Sequence, residues 1–403
     1  MKKKIWFINQ TAGSPYHGMV FRTYYLAYEM VKLGHEVTVY SGSFSHNYFK
    51  LPKTSGMFTE ENIDGIKYVW VKLPGYTQSK SLGRIVAMFL FPLKLFFLNP
   101  KNSPDAIIVS SPPPVSFMAG LYWSFRTKSK LFFEVRDIWP LSIQNLGSYS
   151  ANNPFIFTLG LIEKLAYKKS DFVSSVLPKS YLHFISKGMK PEKFIYVPNG
   201  VLIQDFEKKE SETLSALSEL KKNNKFLIGY TGTIGFANAL HNLIEAAEKV
   251  NDLKDIHFVL IGEGSHKGMI EAQICSLGLE NVSILPPVSK TEIPMILDQL
   301  DVGYIGLLKD EIFQFGISPN KIFDYMLAKL PVIMAISAGN DLVNEANCGI
   351  SVPSCKPKEI AEAIKNLFNM LPEQRKMLGE NGHHFVCQNH LYDKVVKRYL
   401  EKI

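Results

Sequence analysis

The chain has only four cysteines in 403 residues, Cys275, Cys348, Cys355 and Cys387. None stands at a metal-ligand spacing, and scattered cysteines of this kind fit a reducing compartment better than a disulfide framework. No Asp-x-Asp pair occurs anywhere, so the carboxylate clamp that would hold a divalent cation is missing and no metal is expected. The Gly-x-Gly-x-x-Gly fingerprint that should follow a first Rossmann strand is not supplied by NQTAGSPYHG at residues 9–18, which disfavours a dehydrogenase. No apolar run reaches the roughly 20 residues needed to span a bilayer. The short apolar run after the basic start MKKKIWFINQ reads as a first buried strand and is too short for a signal peptide. Long low-complexity runs are absent as well, so the chain is expected to fold throughout.

Its length exceeds what one core usually serves, and two domains of about 200 residues each are expected. Charge divides between them. Residues 1–200 carry 24 Lys and Arg against 11 Asp and Glu, while residues 201–403 carry 21 against 26. This asymmetry points to an anionic surface met by the first half only. Nucleic acid is disfavoured as that surface, because the basic residues are spread out and accompany no recognition helix or aromatic sheet motif. Anionic lipid remains.

The first half reads as strand, loop, helix, strand: KIWFIN, a loop with Gly13, His17 and Gly18, the helical RTYYLAYEMVKLG and the β-branched HEVTVYSG. That is the pattern of a parallel-sheet unit. Residues 83–98, GRIVAMFLFPLKLFFL, are unusually apolar and flanked by Lys80, Arg84 and Lys101. Two readings stay open here. One is a helix lying in a membrane surface, with Phe89, Leu90 and Phe97 among the acyl chains; the other is a buried core helix. Further on, KLFFEVRDIWPLSI reads as a strand ending in Glu134, Arg136 and Asp137, where parallel sheets place their ligands. A structural ion pair of Arg136 with Glu134 or Asp137 is the alternative.

The second half restarts at KFLIGYTGTIG, where Gly232 and Gly235 mark a tight strand-to-helix loop that lets a diphosphate approach the backbone. HFVLIGEGSHKGMI repeats the pattern, with Lys267 just past its turn. The stretch at residues 315–333, FGISPNKIFDYMLAKLPVI, is the most informative. Ser318 and Pro319 precede a helix whose first amides, those of Asn320, Lys321 and Ile322, lack intrahelical acceptors and favour a phosphate. Lys321 adds a full charge at the same end. Asp324, one turn on, is able to accept both hydroxyls of a ribose diol. Phosphate donors and a diol acceptor on neighbouring turns describe a nucleotide site, against the alternative of an ordinary capped amphipathic helix.

SPNKIFDYMLAKLPVI resembles the donor-binding signature of the family 4 retaining glycosyltransferases, whose usual form is close to SPNKLFEYMAAGKPVI, and the likeness extends over nearly the whole chain. It implies an α/β protein of the GT-B fold: two facing Rossmann-like domains with parallel sheets and a cleft between them. The first, acceptor-binding domain is expected over residues 1–204, with a carboxyl-terminal helix, 386–403, crossing back onto it; the nucleotide-sugar domain is expected over 205–385, with the linker near Asp205. By this resemblance Asp324 holds the donor ribose, Val288 lies beside the uracil base, and Gly232, Thr233, Lys267 and the Ser318–Lys321 turn (residues 318–321) surround the diphosphate. The loop of His17 and Gly18 closes over the transferred sugar, with His17 either catalytic or an ordinary loop residue.

The chain also departs from the family. Gly316 stands where a second acid usually meets the donor sugar, and Thr233 and Asn238 stand where an Arg and a Lys usually neutralise the diphosphate. EVRDIWPLSI is similar to EVRDLWPESI in transferases of bacterial surface polysaccharide assembly, and Arg136, beside Asp137, replaces a histidine that usually touches the sugar. In the resemblance, catalysis proceeds on one face of the sugar with Arg136, Asp137 and His17 near the reacting groups and no cofactor. The subgroup adds an N-acetylated 6-deoxy sugar, such as N-acetyl-L-fucosamine, to a polyprenyl-diphosphate-linked N-acetylglucosamine in O-antigen or capsule assembly. That implies a UDP-sugar donor, an anionic membrane surface as partner, and a cytoplasmic location, peripheral on the inner membrane. A UDP-sugar 2-epimerase of the same architecture and a non-catalytic subunit of a glycosylation complex are the alternatives.

Overall fold

A computed structural model describes residues 1–18, 21–76, 81–100, 102–145, 150, 153–203 and 211–403. The chain forms two compact units, Met1–Asn199 with Tyr392–Ile403, and Gly200–Leu391. The boundaries expected from sequence were 204/205 and 385/386, and the linker expected near Asp205 lies outside the described residues.

The first unit is built on eight strands: β1 (Lys4–Ile8), β2 (Glu36–Gly42), β3 (Phe58–Ile63), β4 (Ile66–Val71), β5 (Ala106–Ser111), β6 (Lys130–Val135), β7 (Phe172–Ser175) and β8 (Phe194–Tyr196). They lie in the order β3-β4-β2-β1-β5-β6-β7-β8. Every neighbouring pair is parallel except β3 with β4. β5 reads AIIVSS and is buried at every position, as a central parallel strand covered on both faces must be. The chain winds outward from β1 through β2 and returns to β5 on β1's other side. A topological switch point therefore lies at the carboxyl ends of β1 and β5, where such sheets open a crevice.

The second unit repeats the design with β9 (Phe226–Thr231), β10 (Ile256–Ile261), β11 (Val282–Leu285), β12 (Val302–Gly306), β13 (Val332–Ala335) and β14 (Gly349–Val352). The order is β11-β10-β9-β12-β13-β14, all parallel, with the switch point between β9 and β12. One face of this sheet packs on Leu243, Ile244, Ile360 and Ile364. The other packs on Ile296, Ile322, Phe323 and Met326. The latter three come from the signature helix Asn320–Leu327, whose apolar positions recur at helical spacing and so turn one face to the sheet.

The chain's end returns to the first unit over Tyr392–Ile403, as expected of that segment, but as two short helices and not as one helix over 386–403. Pro372–Asn389 is a helix of the second unit. After a break at His390, the short helices Tyr392–Val395 and Lys397–Leu400 belong to the first. Tyr399 is fully buried there and its hydroxyl donates to Glu134 at 2.8 Å. The Arg398 guanidinium donates to the Tyr196 carbonyl at 2.9 Å.

Candidate functional site

In the second unit, β9, β12 and the signature helix converge at the switch point. Tyr325 pins the helix to the end of β9, its hydroxyl accepting from the Thr231 amide at 3.0 Å. Gly232 follows at φ +131°, and a Cβ on Gly262 would stand 2.0 Å from the Gly232 carbonyl oxygen. Only glycines let these two loops lie so close. Pro319 occupies the cap position and Asn320 is the first helical residue. The Ile322 amide, expected to be free, donates to the Pro319 carbonyl at 3.3 Å, because the first turn tightens. The Asn320 and Lys321 amides have no acceptor among the described residues.

Lys321 turns back over the sheet edge. Its Nζ lies 3.8 Å from the centre of the Tyr230 ring, and a Cβ on Gly232 would be 3.2 Å from the same atom. No acid pairs with it among the described residues, and burial pushes its ammonium down to about 7. A desolvated cation facing a glycine loop and a helix start is a site for an anion. It also makes binding depend on pH. An incoming diphosphate favours the charged form, so affinity for UDP should fall as pH rises above about 7, and at pH 8 binding should take up close to one proton from solvent. Calorimetry in two buffers of different ionisation enthalpy measures that uptake; identical heats in both would mean that Lys321 does not meet the phosphates.

Asp324 is not free in this structure. Both its oxygens accept from Lys290 Nζ, at 2.7 and 2.6 Å. Burial pushes its carboxyl above the usual range, and the Lys290 ammonium opposes the shift. Val288 sits on the same loop as Lys290 and packs at the edge of the core. Gly316 is buried at φ +101°, just after the 3-10 turn Glu311–Phe315. The adjoining Ile317 is clamped by Asn340, whose side chain accepts from its amide at 2.7 Å and donates to its carbonyl at 3.1 Å. Ser318 is half-buried beside it. The Thr233 carbonyl accepts from Tyr230 at 2.6 Å and from the Asn238 amide group at 3.0 Å, so these two positions shape the loop and bring no charge to it. Lys267 is engaged by Glu263.

In the first unit, β6 delivers Arg136 and Asp137 to the carboxyl edge of the sheet. The ion pair offered by the sequence does not form. Glu134 is taken instead by Arg22, which donates to Oε1 from Nε at 3.1 Å and Nη2 at 2.9 Å, by Ser110 at 2.6 Å and by Tyr399. Arg22 itself also donates to the Val197 and Pro198 carbonyls. Arg136 is left half-buried without a hydrogen-bond acceptor among the described residues. Desolvation holds its guanidinium below the ordinary range, and Glu134 works against that. Asp137 accepts from the Trp139 indole at 3.0 Å, and burial raises its carboxyl. His17 is buried rather than on the surface. Its Nδ1 meets Ser14 Oγ at 2.9 Å, its Nε2 lies 3.5 Å from Glu61, and its ring packs 4.9 Å from that of Trp70. Burial lowers its basicity. Gly18 bridges Tyr48 and has no room for a side chain, since a Cβ would stand 2.5 Å from the Tyr48 ring.

The apolar segment forms the helix Leu82–Leu95, capped by Ser81. One of its sides packs into the core and the other is exposed. Ala87, Met88, Phe91, Pro92 and Leu95 are buried, while Leu82, Val86, Phe89 and Leu93 form an exposed stripe that Phe97 continues, at 69% exposure. Leu90, expected with Phe89, is half-buried and off that stripe. Arg84 lies against the Trp139 ring, 5.9 Å from its centre. Lys80 and Lys101 lie outside the described residues. No helix among the described residues is long and apolar enough to cross a membrane.

Sequence comparison assigns both halves. Residues 17–200 match the glycosyl transferase 4-like domain and residues 225–370 the glycosyl transferases group 1 family. A curated Escherichia coli (strain K12) relative, described as a colanic acid biosynthesis glycosyl transferase, WcaI, is 25% identical over 344 residues, 82% of this chain and 83% of its own. Among solved structures, Anabaena HepE in complex with UDP-glucose superposes with a TM-score of 0.65 at 17% identity, covering 100% of both chains. WaaG, a glycosyltransferase involved in lipopolysaccharide biosynthesis, gives 0.66 at 14% identity over 98% of each. The two parallel-sheet units and the two family matches together make this chain a glycosyltransferase of the GT-B fold, with a glycosyl transferase 4-like domain followed by a group 1 domain.

Proposed function

We propose that the protein is a retaining glycosyltransferase of bacterial surface polysaccharide assembly. Its donor is a UDP-linked, N-acetylated 6-deoxy sugar such as N-acetyl-L-fucosamine, and its acceptor an N-acetylglucosamine carried on undecaprenyl diphosphate. The observation that carries the donor half is Lys321, a half-buried, desolvated cation with no acid partner among the described residues, set beside Gly232 one turn before Asp324. The described involvement of WcaI and WaaG in surface polysaccharides, and the UDP-glucose in HepE, support the same reading. The bond from the anomeric carbon to the diphosphate breaks, the acceptor oxygen bonds that carbon on the same face, and the acceptor's proton passes to the departing phosphate. Stabilising that phosphate is then the protein's main contribution, and no metal or other cofactor takes part. With Thr233 and Asn238 uncharged, the charge that the second unit offers this role is that of Lys321.

A lipid-borne acceptor requires the enzyme to work at a membrane surface, and the stripe Leu82, Val86, Phe89, Leu93 and Phe97 on the basic half suits one. Burying it lowers free energy by roughly 25 cal/mol per Å² removed from water, and nearby Lys and Arg add about 1 kcal/mol each near anionic lipid. Neither term gives irreversible insertion, so binding is peripheral, on the cytoplasmic face of the inner membrane, and weakened by salt. Replacing Phe89, Leu93 and Phe97 with Ser should abolish sedimentation with anionic liposomes and depress activity on a long-chain acceptor, while sparing a short water-soluble analogue. Equal loss on both acceptors, or liposome binding unchanged in the folded variant, would place the lipid contact elsewhere.

A further inference from the structure

We infer that Lys290 is a positioning residue of the nucleotide site, holding the Asp324 carboxylate so that its two oxygens meet the ribose diol of a nucleoside diphosphate. The inference rests on the proposed role of Asp324 as ribose acceptor. The two residues are 34 positions apart and come from different elements: Asp324 from the signature helix, Lys290 from the loop between β11 and the helix Ile293–Asp298. One ammonium reaches both carboxylate oxygens, at 2.7 and 2.6 Å.

The loop that carries Lys290 is itself braced. The Ser289 amide and hydroxyl both donate to Glu292, at 3.0 and 2.6 Å, and Val288 packs at the core edge. The Lys290 side chain is 40% exposed and that of Asp324 16%, and an ion pair open to solvent on one side contributes modestly to stability. What the pair does fix is Asp324. Its carboxylate offers about four acceptor sites, and one ammonium bridging both oxygens leaves one on each, the arrangement a cis diol requires. Neither neighbour competes for it. Lys321, on the same helix, is directed at Tyr230 and Gly232, and the Tyr325 hydroxyl is bound at Thr231. Among the described residues Lys290 is the one ion-pair partner of Asp324.

The test is a titration of UDP and of 2′,3′-dideoxy-UDP, which lacks the diol, into the full chain and into Lys290→Met, Lys290→Gln, Lys290→Arg and Asp324→Asn. The wild type should prefer UDP by about ten-fold or more, the scale of a charge-assisted hydrogen bond. Lys290→Met and Lys290→Gln should lose most of that preference while binding the dideoxy compound within about two-fold of wild type, and Lys290→Arg should restore it, because a guanidinium also bridges both oxygens. Equal weakening toward both nucleotides would give Lys290 a direct phosphate contact or a purely structural role, and tighter UDP binding without Lys290 would make it a competitor; either overturns the inference. If Asp324→Asn abolishes the preference and the Lys290 variants do not, the inference alone fails. If the wild type shows no preference, or Asp324→Asn keeps it, the ribose role of Asp324 fails and the inference with it.

Discussion

Lys321→Ala and Asp324→Ala should each weaken UDP binding by about ten-fold or more, since a hydrogen bond to a charged group contributes roughly 1.5–3 kcal/mol. The two losses have different origins. Lys321 sits half-buried over Tyr230 with no acid partner among the described residues, so its charge carries a desolvation penalty that a diphosphate, as the missing anion, relieves. Removing it should leave stability unchanged or higher and affinity lower, a combination that separates a binding role from a structural one. Asp324 has its oxygens tied to Lys290, and its loss should remove discrimination for the ribose diol in particular. Calorimetry on folded variants measures both. UDP affinity unchanged in Asp324→Ala would end its assignment to the ribose.

Arg136→Ala should lower kcat by more than ten-fold while the protein stays folded. Glu134 explains why the fold survives. Its oxygens are satisfied by Arg22, Ser110 and Tyr399, so removing Arg136 leaves no buried carboxylate unpaired and avoids the penalty of a broken buried pair. The rate should fall because a half-buried guanidinium without a hydrogen-bond acceptor among the described residues gains most from an anion that develops during the reaction, and donors aimed at such charge are typically worth about a hundred-fold to a thousand-fold. Turnover at the wild-type rate, measured at saturating donor with circular dichroism confirming the fold, would return Arg136 to the scaffold.

Local features of the chain were readable before its structure. Largely apolar runs such as AIIVSS and FLIGYT form central parallel strands buried at every position, because burial on both faces writes itself into consecutive residues. The signature helix was equally plain, since its apolar spacing and its proline act within one or two turns. What the sequence concealed depends on long separations. Arg22 meets Glu134 across 112 positions and Lys290 meets Asp324 across 34; no local pattern carries either pair, and so Arg136 is the partner for Glu134 that the sequence makes visible. Leu90 was grouped with Phe89 because the helix at 82–95 is apolar nearly all round, and only its packing on Met88 and Phe91 fixes which side faces outward. The buried state of His17 comes from Trp70 and Glu61, on strands far along the chain. The break at His390, which hands Tyr392–Ile403 to the first unit, has no proline to announce it.

The central claim, retaining transfer from a UDP-sugar to a lipid-linked acceptor, is tested most directly by incubating the enzyme with a radiolabelled UDP-N-acetyl-6-deoxyhexose, with and without a synthetic polyprenyl-diphosphate N-acetylglucosamine, and determining the anomeric configuration of the product. The account predicts label in the lipid fraction only when acceptor is present, with the donor's configuration retained. Label that stays in an epimerised UDP-sugar irrespective of acceptor, inverted product, or no turnover by a protein that still binds UDP would contradict it.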